Sequence, residues 1–475
     1  MGETLAAVVI GLWIPFTFFM FGRYPAQRAA LYCYFGGMLV LPNWVGIKLP
    51  LFPLIEKANV VNLAMLLVLA FKSLPGLRKP EAWWYVAALG TLFSTVLTGY
   101  TNQDPIYFAA SPTFIPGLGF KDTGAVVIGN LLSVAPASYL GMRLFRRTED
   151  LRLIARVMVV CGLIYSIPIL LEIRLSPQMH RWVYGYAGPH EWAQLMRYGG
   201  YRPLVMFGHG LVLSLFMLGP TMMATALART GGRVWKVSAN AASWYLTFII
   251  IVCKSTGVWF YAVIVLPMLR LVSSRAVLRM AVVLCLLTCA YPWLRANQVI
   301  PTKDIIAKVT EFSPDRAQSL EVRFTNEDKL IVKAMERPWF GWGSYGRNRI
   351  YDEYGIDRCV TDGAWVMTLG SLGFVGFGFN YLFSVGAMLI AASRIARVSN
   401  AQDRNLMAGV LLMCAVMWFD TLPNAPDFTI AEFLAGALCS ISAGVLAEQE
   451  KARFRKPQKS GAGAGGLEPS VARAS

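Results

Sequence analysis

The sequence predicts an all-α polytopic membrane protein of about 12–13 transmembrane helices, with a large extracytoplasmic loop that contains an amphipathic helix. Three observations lead to this fold class. The 475 residues are 56% hydrophobic and only 15% charged, which is a membrane composition. Apolar runs close to the roughly 20 residues that a helix needs to cross the hydrocarbon core recur along the chain. Between two of these runs lies one long polar, arginine-rich interval, residues 297–362.

About thirteen apolar runs qualify as candidate spans by length and composition. They cover residues 4–21, 29–47, 59–71, 82–100, 123–142, 153–171, 204–228, 241–252, 258–269, 280–294, 364–390, 406–419 and 428–446. Several of them are short, and the two runs that meet at Lys254 are also compatible with one broken helix pair.

The orientation of the chain follows from the loops that hold its basic residues. Alternate loops carry clusters of arginine and lysine. The clusters are Arg23 and Arg28; Lys72, Arg78 and Lys79; Arg143, Arg146, Arg147 and Arg152; Arg229, Arg233 and Lys236; Arg270, Arg275 and Arg279; and Arg394, Arg397 and Arg404. Because short basic loops stay on the cytoplasmic side, the loop 297–362 and the shorter segment 173–203 are predicted to lie outside.

Four regions follow from this topology. Residues 1–296 form a transmembrane bundle that includes the outer segment 173–203, residues 297–362 form the extracytoplasmic loop, and residues 363–450 form further transmembrane helices. The basic, glycine-rich end, residues 451–475, is predicted to be a disordered cytoplasmic tail. The first apolar run lacks a basic leader and a small-residue cleavage site, so it is interpreted as a span.

Most of the net charge of +17 is expected to set the orientation of the chain in the membrane and to attract anionic lipid headgroups. Nothing in the sequence indicates binding of nucleic acid. The eight cysteines lie mostly in or beside apolar runs and form no disulfide framework, and no Cys or His spacing is typical of a metal site. We therefore expect neither a metal nor a cofactor.

The large loop contains a predicted helix that begins near Pro314 and ends at Pro338. Apolar residues recur at helical spacing, which predicts an amphipathic helix on the outer surface. Arg316, Arg323 and Glu327 share one face of it, and Arg323 and Glu327 are predicted to pair. The alternative is a solvated helix without a binding role, whose charges serve only solubility.

Other residues of the loop are candidates for contact with a ligand. Arg337 adds a further cation, and Trp342 belongs to an aromatic, glycine-rich corner, residues 339–343, suited to the membrane interface. Those aromatic rings could stack on a ligand, although an interfacial belt explains them as well. Asp362 stands where the chain re-enters the next apolar run.

A second polar element surrounds the border of the run 204–228. Arg202 stands at that border, and His209 lies inside the run, where a polar side chain is expensive and often functional. Lys254, next to Ser255 and Thr256 between two short apolar runs, suits a phosphate as a point charge. The alternatives are a hydrogen-bonded pore histidine and a snorkelling lysine.

Taken in order, these motifs resemble those of the O-antigen ligase/polymerase family, which contains Wzy-type polysaccharide polymerases and WaaL-type ligases. The similarity covers roughly residues 201–376. It rests on Arg323, then Pro338 and Gly341-x-Gly343, then a polar residue before a glycine-rich span; on Tyr201-Arg202-Pro203 with Phe207-Gly208-His209-Gly210; and on Lys254-Ser255-Thr256-Gly257. One departure is that ligases carry His, usually followed by Asn, where this chain has Asp362-Gly363. The departure favours a polymerase.

The resemblance implies a membrane glycosyltransferase fold in the bacterial plasma membrane with its active site on the outer, periplasmic face. It implies a metal-independent enzyme that polymerises undecaprenyl-pyrophosphate-linked repeats into O-antigen or exopolysaccharide, alongside membrane lipids, a flippase and a chain-length regulator. Arg323 and Arg202 would stabilise the pyrophosphate leaving group, with Lys254 next. Asp362 would accept the proton, with His209 and Glu327 behind it. Arg316, Arg337 and Trp342 would contribute to substrate binding.

Three alternatives stay open. A ligase would move the finished glycan to another lipid or protein acceptor, whereas a polymerase leaves a ladder of lengths on the same lipid. A lipid-linked oligosaccharide flippase or another transporter should line a central cavity with charges and needs no large outer loop. A scaffold in an export complex would use the basic tail for docking.

Overall fold

The computed structural model of the protein describes residues 2–49, 52–74, 76–133, 135–189, 192–425 and 429–455. The described chain is 71% helical and contains no closed sheet, as expected of an all-α membrane protein. Its α-helices, in chain order, are α1 Gly2–Arg23, α2 Ala26–Val40, α3 Lys57–Phe71, α4 Ala82–Thr101, α5 Phe120–Ser133, α6 Ala135–Leu144, α7 Thr148–Leu175, α8 Met179–Tyr184, α9 Trp192–Leu195, α10 Gly210–Ala228, α11 Ala239–Val252, α12 Thr256–Leu271, α13 Ser274–Ala296, α14 Thr302–Phe312, α15 Pro314–Met335, α16 Ala364–Tyr381, α17 Ala387–Ile395, α18 Ala401–Phe419 and α19 Ile430–Arg455.

Seven helical segments of the described chain are long and apolar enough to cross a membrane. They are α1, α5 with α6, α7, α10, α13, α16 continued through a π-helical turn (Leu382–Gly386) into α17, and α19. Three shorter apolar helices, α3, α11 and α12, have 15, 14 and 16 residues. At 1.5 Å per residue they reach only about 21–24 Å, less than the ~30 Å hydrocarbon core.

Each of the predicted spans contains a helix, but the predicted number of 12–13 exceeds the seven segments that are both long and apolar enough. Helices α4 and α18 have 20 and 19 residues and are long enough but not apolar enough. Other apolar runs continue into non-helical connections. The run 204–228, for example, begins with six residues outside α10. The multi-pass helical membrane class is confirmed, and the larger number of crossings stays a prediction.

Short two-stranded antiparallel hairpins occupy four of the connections. The pairs are β1 Gly46–Ile47 with β2 Ile55–Glu56, β3 Ile106–Phe108 with β4 Ser111–Ile115, β5 Met196–Arg197 with β6 Gly200–Tyr201, and β7 Arg233–Val234 with β8 Val237–Ser238. In the longest hairpin Ile106 faces Ile115, and a bulge follows Tyr107. These hairpins were not predicted from the sequence; they pair backbone groups that the helices leave without partners.

The helix connections form two groups, and hydrogen bonds and ion pairs join the connections within each group. We call one group the basic end; it comprises residues 72–82, 143–152, 229–238, 270–275 and 394–404. Here Arg394 bonds Glu81 at 2.8 Å, Arg229 donates to the Val272 carbonyl at 2.6 Å, and Arg404 Nε donates to Ser274 Oγ at 3.0 Å.

The other group, which we call the loop end, comprises residues 41–56, 101–120, 173–210, 252–256, 297–363 and 420–429. Asn43 donates to the Met206 carbonyl at 2.5 Å, and Arg337 bonds Asp104 at 2.8 Å. The alternation of basic and non-basic loops along the sequence predicted this separation. That the basic end faces the cytoplasm remains a prediction from the distribution of charge.

Helices α10, α18 and α19 form the centre of the bundle, with most of their side chains buried. Helix α10 packs against α7, α11, α12 and α18. Its N-terminus and the C-terminus of α18 therefore meet at the loop end. Here the central helices bring polar residues from distant parts of the chain together.

The predicted amphipathic helix of the large loop is confirmed as α15. Ser313 is its N-cap residue and Pro314 lies in its first turn, as predicted. Leu330, Ile331 and Ala334 are buried against the bundle. A further helix, α14, precedes it. At the other end of the chain α19 continues to Arg455, past the predicted start of the tail at residue 451, and residues 456–475 lie outside the described part.

The glycine-rich span α16 is broken at Gly373, which has φ +63° and ψ −175°. Residues 338–343 fill the break. Trp342 N donates to the Gly370 carbonyl at 2.8 Å, Gly343 N to the Ser371 carbonyl at 2.9 Å, and Phe374 N to the Pro338 carbonyl at 2.7 Å. Backbone groups freed inside a membrane helix must be satisfied by neighbouring protein. The Gly341-x-Gly343 motif therefore has a structural role in closing this broken helix.

Candidate functional site

Arg323 and Asp362 lie together at the loop end. Arg323 projects from the middle of α15, and its Nε is 3.3 Å from Asp362 Oδ2. The side chains are 36% and 41% exposed, so a ligand can reach both. Arg323 Nη1 also donates to the Pro423 carbonyl at 3.2 Å, in the connection after α18. The structure thus places the predicted leaving-group cation beside the predicted proton acceptor.

A second acidic residue, Asp420, stands at the end of α18 next to this pair. Its Oδ1 accepts hydrogen bonds from Tyr261 Oη at 3.0 Å and from Asn424 Nδ2 at 3.1 Å. Its Oδ2 is buried and has no hydrogen-bond partner among the described residues. The Arg323 guanidinium is close enough to act on Asp420 electrostatically. In the sequence Asp420 is notable only as an ionisable residue near the end of an apolar run.

Arg202 lies at a separate position, buried between the first turns of two helices. Its Nη2 donates to Ser255 Oγ, the N-cap residue of α12, at 3.1 Å. A Cβ atom on Gly210, the first residue of α10, would lie 2.6 Å from Arg202 Nε, so the guanidinium rests directly on that helix start. Arg202 is 2% exposed, and its Nε has no hydrogen-bond partner among the described residues.

This environment is unusual for a cation. Helix N-termini carry partial positive charge and attract anions, not cations. Burial, with a smaller contribution from Arg197, lowers the pKa of Arg202 to about 10. Among the described residues no carboxylate forms an ion pair with Arg202. The electrostatics of the position are therefore those of an anion site.

Lys254 completes this positive region. It has a left-handed backbone conformation with φ +55°. Its Nζ lies against Gly200, because a Cβ atom on that glycine would overlap it. The hairpin of β5 and β6 thus carries Arg202 and contacts Lys254. Both cations were predicted from motifs in the sequence, and both lie at the start of α12.

Helix α12 connects the Arg202 and Arg323 regions, which have no direct contact among the described residues. Ser255, bonded to Arg202, precedes the helix, and Tyr261, bonded to Asp420, lies six residues further on. The helical rise of 1.5 Å per residue puts these two positions about 9 Å apart along the axis. The two predicted arginines are thus linked through one short helix rather than joined in a single cluster.

His209 stands beside the Arg202 region, at the start of α10. It is the N-cap residue of α10, and its Nδ1 accepts a hydrogen bond from Leu211 N at 3.2 Å. Its ring also lines a cavity of about 310 Å³ between α2, α3 and α10, together with Glu56 and Asn43. No described contact joins His209 to Asp362. Its geometry is that of a helix cap on a cavity wall.

Glu327 has a different partner from the one that helical spacing predicted. Its Oε2 is 3.0 Å from Arg295 Nε and accepts a hydrogen bond from Tyr291 Oη at 3.1 Å. Glu327 is 7% exposed and joins α15 to α13, whereas Arg323 turns to Asp362. Burial raises the pKa of Glu327, although Arg295 opposes that shift. The contacts are those of a residue that anchors the loop helix.

Arg337 and Trp342 also hold the loop in place. Arg337 donates to Asn102 Oδ1 and Asp104 Oδ2, each at 2.8 Å, and to the Thr101 carbonyl. Its guanidinium lies 4.3 Å from the centre of the Trp342 ring, which is buried. Both residues were predicted to bind substrate, and within the described part of the chain neither contacts the Arg323–Asp362 pair. The side chain of Arg316, the remaining candidate, lies outside the described part of the structure.

A larger cavity of about 610 Å³ lies between α16, α18 and α19. Its lining includes Ala364 and Thr421, which flank the Arg323–Asp362 pair, and the carboxylate of Glu432. It shares Glu56, Ala58 and Thr429 with the smaller cavity. Sequence reasoning missed Glu432, because a lone carboxylate at the start of an apolar run belongs to no motif.

Within the described part of the chain, no group of three or more Cys, His, Asp and Glu residues is placed to hold a metal ion. No protein-family model and no curated protein matches the chain.

Proposed function

We propose that this chain is a glycosyltransferase of the bacterial plasma membrane, a polysaccharide polymerase of the O-antigen ligase/polymerase type. In this proposal the loop end faces the periplasm, and residues 297–362 form the catalytic loop. The substrate is an oligosaccharide repeat carried on undecaprenyl pyrophosphate, and the reaction lengthens it into O-antigen or exopolysaccharide. A flippase and a chain-length regulator would act beside it.

The observation that carries the proposal is the setting of Arg202. The buried Arg202 guanidinium lies on the start of α10 and bonds the N-cap residue of α12. It has no acidic partner in the described structure. By itself this position is electrostatically unfavourable for a cation. A diphosphate would satisfy this guanidinium and the nearby Lys254 together, and it would lie at the positive dipole ends of both helices.

The chemistry assigned to these groups is a single transfer. The bond between the anomeric carbon and the pyrophosphate oxygen breaks, and its electron pair leaves with that oxygen. Charge grows on the pyrophosphate, where fixed cations such as Arg202 and Arg323 bind the transition state more tightly than the ground state. The acceptor hydroxyl oxygen bonds the anomeric carbon, and its proton passes to the Asp362 carboxylate.

The test uses the purified protein in liposomes with lipid-linked repeats. Arg202→Ala and Arg323→Ala should each reduce chain lengthening about 10²-fold or more, as loss of a transition-state cation does. Arg323→Lys should recover only part, because an ammonium lacks the guanidinium fork. Lys329→Ala, an exposed cation on the same helix α15, is the matched control and should keep the wild-type rate.

The product decides between the functions that the sequence leaves open. A ladder of lengths on the pyrophosphate lipid identifies a polymerase, and glycan on another anchor identifies a ligase. Movement of the lipid-linked substrate across the bilayer without transfer identifies a flippase. Unchanged lengthening in both alanine variants would remove Arg202 and Arg323 from the mechanism.

A further inference from the structure

The larger cavity contains a buried carboxylate that the proposed reaction does not use. Glu432, in the first turn of α19, is 8% exposed and lines this cavity. Its Oε2 has no hydrogen-bond partner among the described residues. A buried carboxylate oxygen without a donor is costly, so natural structures rarely leave one in place without a role. A ligand with hydrogen-bond donors would supply the missing contact.

The rest of the lining indicates what such a ligand is. It is rich in uncharged hydrogen-bonding side chains: Asn130, Asn348, Asn380, Thr368, Ser371 and Thr421. Trp418 and Tyr381, whose ring centres are 5.0 Å apart, add an aromatic wall. Amides, hydroxyls and a carboxylate beside an apolar ring face suit a molecule with many hydroxyl groups and a weakly polar face, such as a sugar.

The charges of the cavity disfavour an anionic occupant. Glu432 and Glu56 contribute two carboxylates to the lining, and Arg349 contributes one cation. That cation is already engaged, because Arg349 forms an ion pair with Asp357 and donates to the Cys359 carbonyl at 3.1 Å. The cavity would therefore repel a diphosphate. Its chemistry is distinct from that of the Arg202 region.

The cavity also opens next to the proposed reaction centre. Ala364 and Thr421 line it and are bonded to each other, N to O, at 3.1 Å. Asp362 precedes Ala364 by two residues, and Thr421 follows the buried Asp420. Glu56, Ala58 and Thr429 lie between this cavity and the smaller one, because they line both. The volumes of about 610 and 310 Å³ fall in the usual range for small-ligand sites.

We propose that this larger cavity is a saccharide subsite, in which Glu432 accepts a hydrogen bond from a sugar hydroxyl. It holds uncharged sugar residues of the glycan away from the diphosphate, and so orients the reacting hydroxyl or anomeric carbon near Asp362. The identity of the ligand as part of a glycan substrate rests on the proposed function. The existence of a subsite for a neutral polyhydroxylated ligand rests on the cavity alone.

The test measures binding separately from transfer. Lipid-free oligosaccharide repeats, released from the polysaccharide of the organism that encodes this chain, are titrated calorimetrically into the full-length protein in nanodiscs. Glu432→Gln should weaken binding about tenfold or more, as expected for loss of a hydrogen bond to a charged acceptor. Glu448→Gln, an exposed carboxylate on the same helix α19, is the matched control and should bind as wild type does.

The outcomes separate the subsite from the reaction. Arg323→Ala should still bind the oligosaccharide while transfer is lost, which supports the subsite. If wild type binds the oligosaccharide but transfers nothing, the subsite stands and the proposed function fails. If wild type transfers glycan, and Glu432→Gln matches it in oligosaccharide affinity and in KM, the subsite is overturned and the function is untouched.

A second variant covers the case in which Glu432→Gln does not fold. Asn380 lines the same cavity from α16 and is only partly buried. Asn380→Leu keeps the side-chain volume while removing its hydrogen-bonding groups, and it should lower oligosaccharide affinity with an unchanged thermal midpoint. Wild-type affinity in this folded variant would count against the subsite.

Discussion

Arg323 and Asp362 form an ion pair, with Nε 3.3 Å from Oδ2, although 39 positions separate them in the sequence. One comes from the loop helix α15 and the other from the start of α16. The connection after α18 contacts both elements. Its Pro423 carbonyl accepts a hydrogen bond from Arg323, and its Thr421 carbonyl accepts one from Ala364 N. The pair therefore sits where three separate elements meet.

The first prediction concerns Asp362. Both members of the pair are more than a third exposed, so the pair should stabilise the fold by about 1 kcal/mol at most. Asp362→Asn should leave the thermal midpoint nearly unchanged while reducing glycan transfer about 10²–10⁴-fold, through loss of the proton acceptor. The measurement is the initial rate of chain lengthening, paired with thermal unfolding in the same detergent.

Glu353→Gln, an exposed carboxylate elsewhere in the large loop, is the matched control and should keep the wild-type rate. Full activity in Asp362→Asn would move the proton acceptor to another group. Asp420 would then be the first to examine, because its Oδ2 is buried without a described partner beside Arg323.

The second prediction concerns the buried pair of Glu327 and Arg295. Glu327→Ala leaves the Arg295 guanidinium, 3% exposed, with a buried charge that Asp328 offsets only in part. Removing one partner of a buried ion pair costs about 3–5 kcal/mol. The double variant Glu327→Leu/Arg295→Met should recover much of that loss, because neither charge stays buried. Equilibrium unfolding of the single and double variants measures the difference.

The same variants decide the role of Glu327. A stable Glu327→Ala protein with lost transfer would return this residue to the catalytic machinery. A destabilised protein whose remaining folded fraction transfers at the wild-type specific rate would identify it as an anchor of α15.

Helix α15 shows which features of the fold could be predicted from the sequence and which could not. Helix signals that act within a few residues, such as Ser313 and Pro314 at the start of α15, predicted that helix correctly. The partner of Glu327 could not be found in this way. Spacing along one helix offers Arg323, whereas the observed partner Arg295 lies on another helix, and the packing of α13 against α15 brings it there.

The same distinction applies to the candidate site. Charges in unusual places pointed to Arg202 and Lys254, because a cation at a membrane border stands out in an apolar sequence. The carboxylate of Glu432 and the bond between Tyr261 and Asp420 depend on how α12, α18 and α19 assemble. Apolar composition also continues where the backbone is no longer helical, so the ends of the helices could not be predicted from it.

The third prediction is a pH dependence that involves Asp104. Burial by itself would raise the pKa of Asp104, but the hydrogen bond from Arg337, together with the charge of Arg347, lowers that pKa below its ordinary value of 3.8. A carboxyl whose pKa is lowered by folding stabilises the fold above its unfolded pKa. That stabilisation is lost as the pH falls through the folded pKa.

Asp104→Asn should therefore lower the thermal midpoint near neutral pH, and the difference from wild type should shrink as the pH drops below about 4. Arg337→Ala should weaken the same dependence. Parallel midpoint curves for wild type and Asp104→Asn across this range would show that Asp104 has the same pKa in the folded and unfolded states. The hydrogen bonds and the ion pair between Arg337 and residues 101–104 would then contribute little to stability.

The last prediction concerns the break in α16. Gly373 has φ +63° and ψ −175°, a conformation that is almost restricted to glycine. A Cβ atom there would overlap the backbone of Trp339, whose carbonyl accepts a hydrogen bond from Val375 N at 3.2 Å. Gly373→Ala should destabilise the protein by about 1–3 kcal/mol or more. It should also displace residues 338–343, so that transfer falls together with stability.

Gly378, in the same helix, is exposed and has no atom within 4 Å of the place where a Cβ would lie. Gly378→Ala should therefore be neutral, or should stabilise the helix by about 0.5–1 kcal/mol. Equilibrium unfolding of both variants, with hydrogen exchange at Trp342 N and Gly343 N, measures the effect. If Gly373→Ala exchanges and unfolds as Gly378→Ala does, the Gly341-x-Gly343 segment does not depend on the break for its hydrogen bonds, and its glycines must serve another purpose.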